Sequence, residues 1–315
     1  MKQVLACANP STQRGVALLT ALMILALAAL LAYGLMQQGT VALDRAAGAQ
    51  RGAQARALAN GLFDYALIGL LRDAADGPID SRAEEWAKPL PPLPVPQGVV
   101  TGRLEDLNGR LNLNGFAGNA LQVEFTLNTL TRLLEILKLD PQIAGRIQDA
   151  IDPDDSNSAG GEDVDFMSRR PASRAPNRAL QHFSELRHLP GLSAKDYALL
   201  SRHVCTISND AKLNINTAEI PVLMSIDPGI SAELAKKLWR DGQANFANSS
   251  DFVVEVSRSG GPQNLSQVEP YLGVSSTDFI ARARIKLDGV EYRYSAQLLR
   301  NNRYEVLWRM QGGGE

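Results

Sequence analysis

Seven carboxylates fall between residues 149 and 165, in the stretch DAIDPDDSNSAGGEDVDF. Asp149, Asp152, Asp154, Asp155, Glu162, Asp163 and Asp165 supply hard oxygens, and Asn157 and the pair Gly160-Gly161 lie among them. Calcium takes about six to eight such oxygens in a flexible loop. The spacing is not that of an EF-hand. Counted from Asp152, the required Gly falls on Asn157 and the closing Glu on Asp163; counted from Asp155, the Gly matches but the closing residue is Phe166. Charge density alone leaves two readings open, a calcium site or a solvated acidic loop. Asn214 and Asn216 are possible remote ligands.

Groups suited to catalysis are few. His182, His188 and His203 do not stand in HExxH spacing, and no G-x-S-x-G elbow, P-loop or Rossmann-type glycine run occurs. Cys205, two residues from His203, is read as a buried structural thiol rather than a nucleophile or zinc ligand. With Cys7 placed in a leader, Cys205 has no internal disulfide partner. No enzymatic chemistry is expected.

One peptide bond stands out for processing chemistry: Gly15-Val16, directly after Arg14 and directly before the charge-free run Val16 to Met36. About 20 apolar residues suffice for a helix to cross a bilayer. Lys2 and Arg14 are the only charges before it, and by the positive-inside tendency they keep that end cytoplasmic. There is no separate apolar core and small-x-small site as in a secretory signal. A plain signal-anchor helix is the simpler alternative.

Arg-Gly followed by an apolar helix resembles the type IV prepilin class. The resemblance implies cleavage of Gly15-Val16 by a prepilin peptidase, with the apolar helix retained in the inner membrane and the rest periplasmic. Most members carry Glu as the fifth mature residue, paired with a neighbouring subunit's amino terminus; here it is Thr20. A subunit without a neighbour above it has no use for that Glu, so Thr20 narrows the resemblance to minor pseudopilin K of the type II secretion system. Asp152-Pro153-Asp154, Gly161-Glu162-Asp163, Pro176-Asn177 and Ser184-Glu185-Leu186-Arg187 resemble runs in that family. The resemblance implies a calcium-binding helical domain, with Asp152, Asp154, Asp155, Asn157, Glu162, Asp163 and Asp165 as candidate ligands. It also implies a tip position in the pseudopilus, with minor pseudopilins I and J as partners.

The elements that must position these groups follow from pattern. The 315 residues, 45% hydrophobic, leave room for two domains beyond the membrane helix. Losing Lys2 and Arg14 takes the net charge from −2 to −4, which argues against general nucleic-acid binding. The helical signal runs on through Asp44 to Ala75, with Leu58, Leu62, Tyr65, Ala66 and Gly69 as its packing face, and stops at Asp76-Gly77-Pro78. Pro89 to Pro96 reads as a polyproline linker. Asn108-Gly109 reads as a hairpin turn between Val99–Leu107 and Arg110–Asn114. Short helices follow, with caps expected at Asp140-Pro141, Ser193, Thr217 and Ser231. Asp278 onward predicts a three-stranded meander with turns at Asp288-Gly289 and Arg300-Asn301-Asn302.

The expected fold is α+β: a transmembrane helix continuing into a pilin-like α/β domain that carries a large inserted all-α domain. The expected boundaries are a leader at 1–15, the membrane helix at 16–40, pilin-like parts at 41–115 and 271–315, and the insertion at 116–270. A rival comes from Leu189-Pro190-Gly191-Leu192-Ser193 and Asp227-Pro228-Gly229-Ile230-Ser231, which with Leu213-Asn214-Ile215-Asn216-Thr217 resemble the helix-hairpin-helix units of DNA-binding proteins in competence-like uptake. Ser193 and Ser231 stand where those units usually carry a second Gly, which narrows the approach of a phosphate.

Overall fold

The computed structural model describes residues 11–153, 166–168, 170, 172–300 and 305–312. It forms two compact units that divide between Arg56 and Ala57. One 66-residue helix, α1 (Ser11–Asp76), contributes to both. In the first unit its side chains from Val16 to Met36 are almost all exposed. An 18-residue window of mean hydropathy 2.6 makes this helix long and apolar enough to cross a membrane.

In the second unit the end of α1 buries Ala59, Phe63 and Leu70. The packing face is therefore only partly the expected one: Leu58, Leu62 and Ala66 are half-buried, whereas Tyr65 and Gly69 are exposed. Apolar residues occur on both sides of this stretch, so periodicity alone does not choose between them. What chooses is the sheet: Leu62 lies over Gly102, where a Cβ would come within 2.6 Å of its Cδ2. Burying Phe63 and Leu70 contributes about 1.5–3 kcal/mol each, more than the roughly 1 kcal/mol that each of Gly61 and Gly69 costs the helix.

The sheet has five antiparallel strands in the order β1-β2-β7-β8-β9. They are β1 (Leu90–Val95), β2 (Gly98–Asp106), β7 (Asp278–Leu287), β8 (Val290–Leu299) and β9 (Glu305–Gln311). The meander of β7, β8 and β9 follows the alternation of the sequence, and Asp288 and Gly289 turn it with φ of 47° and 82°. Asn301 and Asn302 lie outside the described residues.

Two local expectations are corrected. Pro89 to Pro96 is no linker, because Leu90–Val95 forms edge strand β1, paired with β2 through a register shift between Leu90 and Leu93. Prolines are tolerated there because an edge strand leaves one row of donors unused. Asn108-Gly109 is no hairpin turn either. Leu111–Asn112 (β3) pairs in parallel with Val204–Cys205 (β4), not with β2. Gly109 is required by contact rather than by φ: a Cβ there would meet Thr217 Oγ1 at 2.6 Å and its carbonyl oxygen at 2.9 Å.

Between β2 and β7 the chain leaves the sheet for residues 107–277. The first part builds a core from α2 (Ala120–Ile136) and α3 (Gln142–Ile151), with Leu130, Leu133, Leu134, Ile143 and Ile147 at its centre. After α4 (Ala194–Leu200), a second core joins α5 (Ile220–Ile226), α6 (Ala232–Trp239) and α7 (Ser249–Arg258) around Val222, Leu223, Leu238 and Phe252. A short parallel pair, β5 (Leu213–Asn214) with β6 (Leu272–Gly273), closes it. Arg132 on α2 links the two cores, donating to Ser225 O at 2.7 Å and Ile226 O at 2.8 Å, where a cation suits the carboxyl end of α5.

Expected caps form at Ser193 and Ser231, whose side chains accept from Asp196 N and Leu234 N. Asp140 Oδ1 accepts from Gln142 N at the start of α3. Thr217 caps nothing, for α5 begins after Glu219 and the Thr217 hydroxyl is committed elsewhere.

Candidate functional site

The insertion is fastened to the sheet by a buried polar network where it leaves and returns. Asp106, the last residue of β2, accepts from Asn108 N at 2.8 Å through Oδ1. Its Oδ2 accepts from Ser276 Oγ at 2.7 Å and from the Thr217 hydroxyl. Asn108 Oδ1 accepts from Thr277 N and Asp278 N, both at 3.0 Å, and its Nδ2 donates to Lys212 O at 3.2 Å. Asn214 Nδ2 donates to Ser276 Oγ at 2.7 Å and to Asp80 O at 3.1 Å.

Arg300, at the end of β8, carries the network to α1. It pairs with Asp73 Oδ2 at 2.9 Å and with Asp80 Oδ2, and donates to Ser276 O at 2.7 Å. With side-chain exposures of 8% for Arg300 and 1% for Asp80, the pair is buried. Removing one member of such a pair costs on the order of 3–5 kcal/mol. Burial raises the pKa of Asp106 to about 6, against the hydrogen bonds from Ser276, Thr217 and Asn108. Burial, with Glu84 and Asp80 nearby, likewise raises Asp73 to about 6 despite Arg300.

The acidic stretch is reached at the end of α3. Asp149 is buried there, Asp152 ends the helix, and Asn177 N donates to Ala150 O at 3.1 Å. Asp154, Asp155, Asn157, Glu162, Asp163 and Asp165 lie outside the described residues. Asn214 and Asn216 are engaged in other contacts among the described residues: Asn214 belongs to the network above, and Asn216 exchanges hydrogen bonds with Phe246 N and O at 2.7 and 3.1 Å. Glu185 in the Ser184–Arg187 run accepts from Gln181 N and His182 N and pairs with Arg178.

In the first unit, Gly15 and Val16 lie within α1, and the Thr20 hydroxyl donates to Ala17 O at 3.0 Å. A hydroxyl so bonded is satisfied within its own helix. Cys205 is buried in β4, its Sγ 3.8 Å from Arg110 O, and burial pushes its pKa up and keeps it a thiol. The Pro-Gly turn of Asp227–Ser231 is spoken for within the protein. Asp227 Oδ1 accepts from Gly229 N at 2.7 Å and Lys237 Nζ donates to Ser259 Oγ at 2.8 Å, which takes up groups a phosphate would use.

Sequence reasoning missed the network. Its members were visible as Asn108-Gly109 and Leu213–Thr217, but each has a stronger local reading as a turn, cap or DNA-binding hairpin.

A helix that begins with an apolar run of membrane-spanning length and packs its end on an antiparallel sheet, with a helical insertion between the sheet's second strand and its meander, is the architecture of a pilin-like subunit. A family model, "Type II secretion system (T2SS), protein K", matches residues 109–209. Type II secretion system protein K of Pseudomonas aeruginosa PAO1 is 33% identical over 264 residues, covering 79% of this chain and 78% of the relative. That of Klebsiella pneumoniae is 29% identical, covering 95% and 97%. The crystal structure of the GspK-GspI-GspJ complex from the type 2 secretion system of enterotoxigenic Escherichia coli shares the fold, with a TM-score of 0.76 at 23% identity over 86% of this chain and 100% of the other. The chain belongs to the type II secretion system protein K family, the minor pseudopilins of a protein-secretion machine, and the DNA-binding alternative is not favoured.

The network predicts a pH dependence. Folded Asp106 holds its proton to about pH 6, whereas the unfolded chain releases it near 3.8. Its contribution to stability is therefore complete below the lower value and lost as pH rises through the higher one. The melting temperature of the wild type minus that of Asp106→Asn should fall between those two pH values and level off above them. A difference independent of pH across that range would contradict the burial of this carboxyl.

Proposed function

We propose that this chain occupies the tip of the type II secretion pseudopilus, where it initiates or caps assembly with minor pseudopilins I and J. The observation that carries the reading is the place of the insertion. Residues 107–277 leave and rejoin the sheet at Asp106 and Asp278, the end at which α1 finishes and Asp73 meets Arg300. A domain of that size at that end suits a subunit with nothing stacked above it. Thr20, bonded to its own helix, fits the same position, because it needs no neighbour's amino terminus. The solved relative is described as a complex with GspI and GspJ, which supports the same partners here.

In this reading a prepilin peptidase cuts Gly15-Val16, the apolar part of α1 stays in the inner membrane, and the second unit is periplasmic. The role is mechanical and involves no reaction chemistry. Calcium is proposed as a structural ion of the acidic stretch, held by Asp152 together with Asp154, Asp155, Asn157, Glu162, Asp163 and Asp165. The donor chemistry fits, since α3 delivers Asp149 and Asp152 to one place and brings Asn177 beside them. A divalent ion there would offset the repulsion of the crowded carboxylates.

Two measurements follow. Co-expressed with its own pseudopilins I and J and a prepilin peptidase, the chain should co-purify with both, and mass spectrometry should find it beginning at Val16. Purification without them, or with residues 1–15 intact, would count against the assignment. For the ion, a chelator should lower the melting temperature of the detergent-solubilised chain and added calcium restore it. Saturation at a hundred times Kd is worth about 2.7 kcal/mol. An unchanged melting curve returns the stretch to a solvated acidic loop.

A further inference from the structure

The last turn of α1 carries Asp73 and Asp76 and no basic residue. Carboxylates there face the negative pole of the helix dipole, where a cation is the stabilising partner. Asp73 meets two more acids at that end. One carboxylate oxygen from each of Asp73, Asp80 and Glu84 lies within 4.8 Å of those of the other two. Oxygens held by one calcium ion at about 2.3–2.6 Å stand no more than about 5 Å apart, so the three fit a single ion.

Spacing alone does not separate a site from mere crowding, but an unused buried oxygen does. Arg300 takes Oδ2 of both Asp73 and Asp80, and Ser276 N donates to the same Asp80 atom at 2.7 Å. Asp80 Oδ1 is left buried and without a hydrogen-bond partner among the described residues, on a residue 1% exposed. A carboxylate oxygen in that position bears a desolvation cost that a bound cation removes. Glu84, at the head of the short turn Glu85–Ala87, spends its Oε2 on Trp86 Nε1 at 2.6 Å and on Ser81 N at 3.2 Å. The raised pKa of Asp73, caused by burial and by Glu84 and Asp80 against the pull of Arg300, reflects the same crowding. Access comes from the side of Asp73 and Trp86, which line a cavity of about 450 Å³ between α1 and β1.

We infer that Asp73, Asp80 and Glu84 bind a hard divalent cation of the calcium class, with waters from the cavity completing its shell. Such an ion fastens the end of α1 to the segment that follows it, beside the Arg300 pair. It is remote in sequence from the acidic stretch at 149–165 and does not depend on it.

The probe is terbium, which shares calcium's preference for oxygen and luminesces when a nearby indole passes it energy. Trp86 is placed to do so by its bond to Glu84. Titrated into the chelator-treated, detergent-solubilised full chain and excited through tryptophan, terbium should give an emission that calcium displaces. Trp86→Phe should remove that emission while calcium binding persists. In equilibrium dialysis, at a calcium concentration that just saturates the wild type, Glu84→Gln should hold one ion fewer. This variant keeps an acceptor for the Trp86 indole, and the difference is the same whether or not the acidic stretch holds an ion. Circular dichroism checks folding, and should Glu84→Gln fold poorly, Asp73→Asn at another half-buried position must show the same deficit. Equal ion counts in the wild type and a folded variant overturn the proposal. So does an emission that calcium fails to displace or that folded Trp86→Phe retains.

Discussion

Two buried acids and one buried arginine hold the second unit together. Asp106 and Asp80 sit where the end of β2, the segment after α1, the Leu213–Thr217 run and the return at Ser276 converge, and Arg300 ties them to Asp73 on α1. An insertion of residues 107–277 joined to a sheet by two peptide strands would otherwise pivot. Hydrogen bonds from Asn108, Asn214, Thr217 and Ser276 replace that freedom with one geometry. Satisfied buried polar groups such as Asp106 and Asn108 specify an arrangement more than they add stability, because each left unpaired would cost a desolvation penalty.

With the insertion so fixed, the two faces of the sheet differ. One receives Phe63 and Leu70 of α1 and is apolar. The other looks into a cavity floored by Arg103, Arg282 and Glu105. The first is what a pilin-like subunit needs to keep its helix attached. The second is made possible by the insertion, which roofs a surface that a sheet alone would leave to solvent.

The parts legible in the sequence were those governed by local chemistry. The apolar run of α1, the meander around Asp288-Gly289, and the caps at Ser193 and Ser231 follow from charge, alternation and short-range hydrogen bonds. Parts decided by distant partners were not. Gly109 looks like a hairpin residue and is instead small because Thr217 lies against it. Prolines 91, 92 and 94 look like a linker and are tolerated because β1 is an edge. Asn214 looks like a ligand or a DNA-binding residue and is a strut between Asp80 and Ser276. The packing face of α1 needed Gly102 to be located before it could be read.

A pilin-like subunit whose fold is extended at one end by a fastened helical domain is proposed here to terminate the pseudopilus. Electron microscopy of pseudopili assembled with a gold-labelled copy of the chain locates it. A single label at one end of each fibre is the predicted result, and labels recurring along the shaft would contradict it.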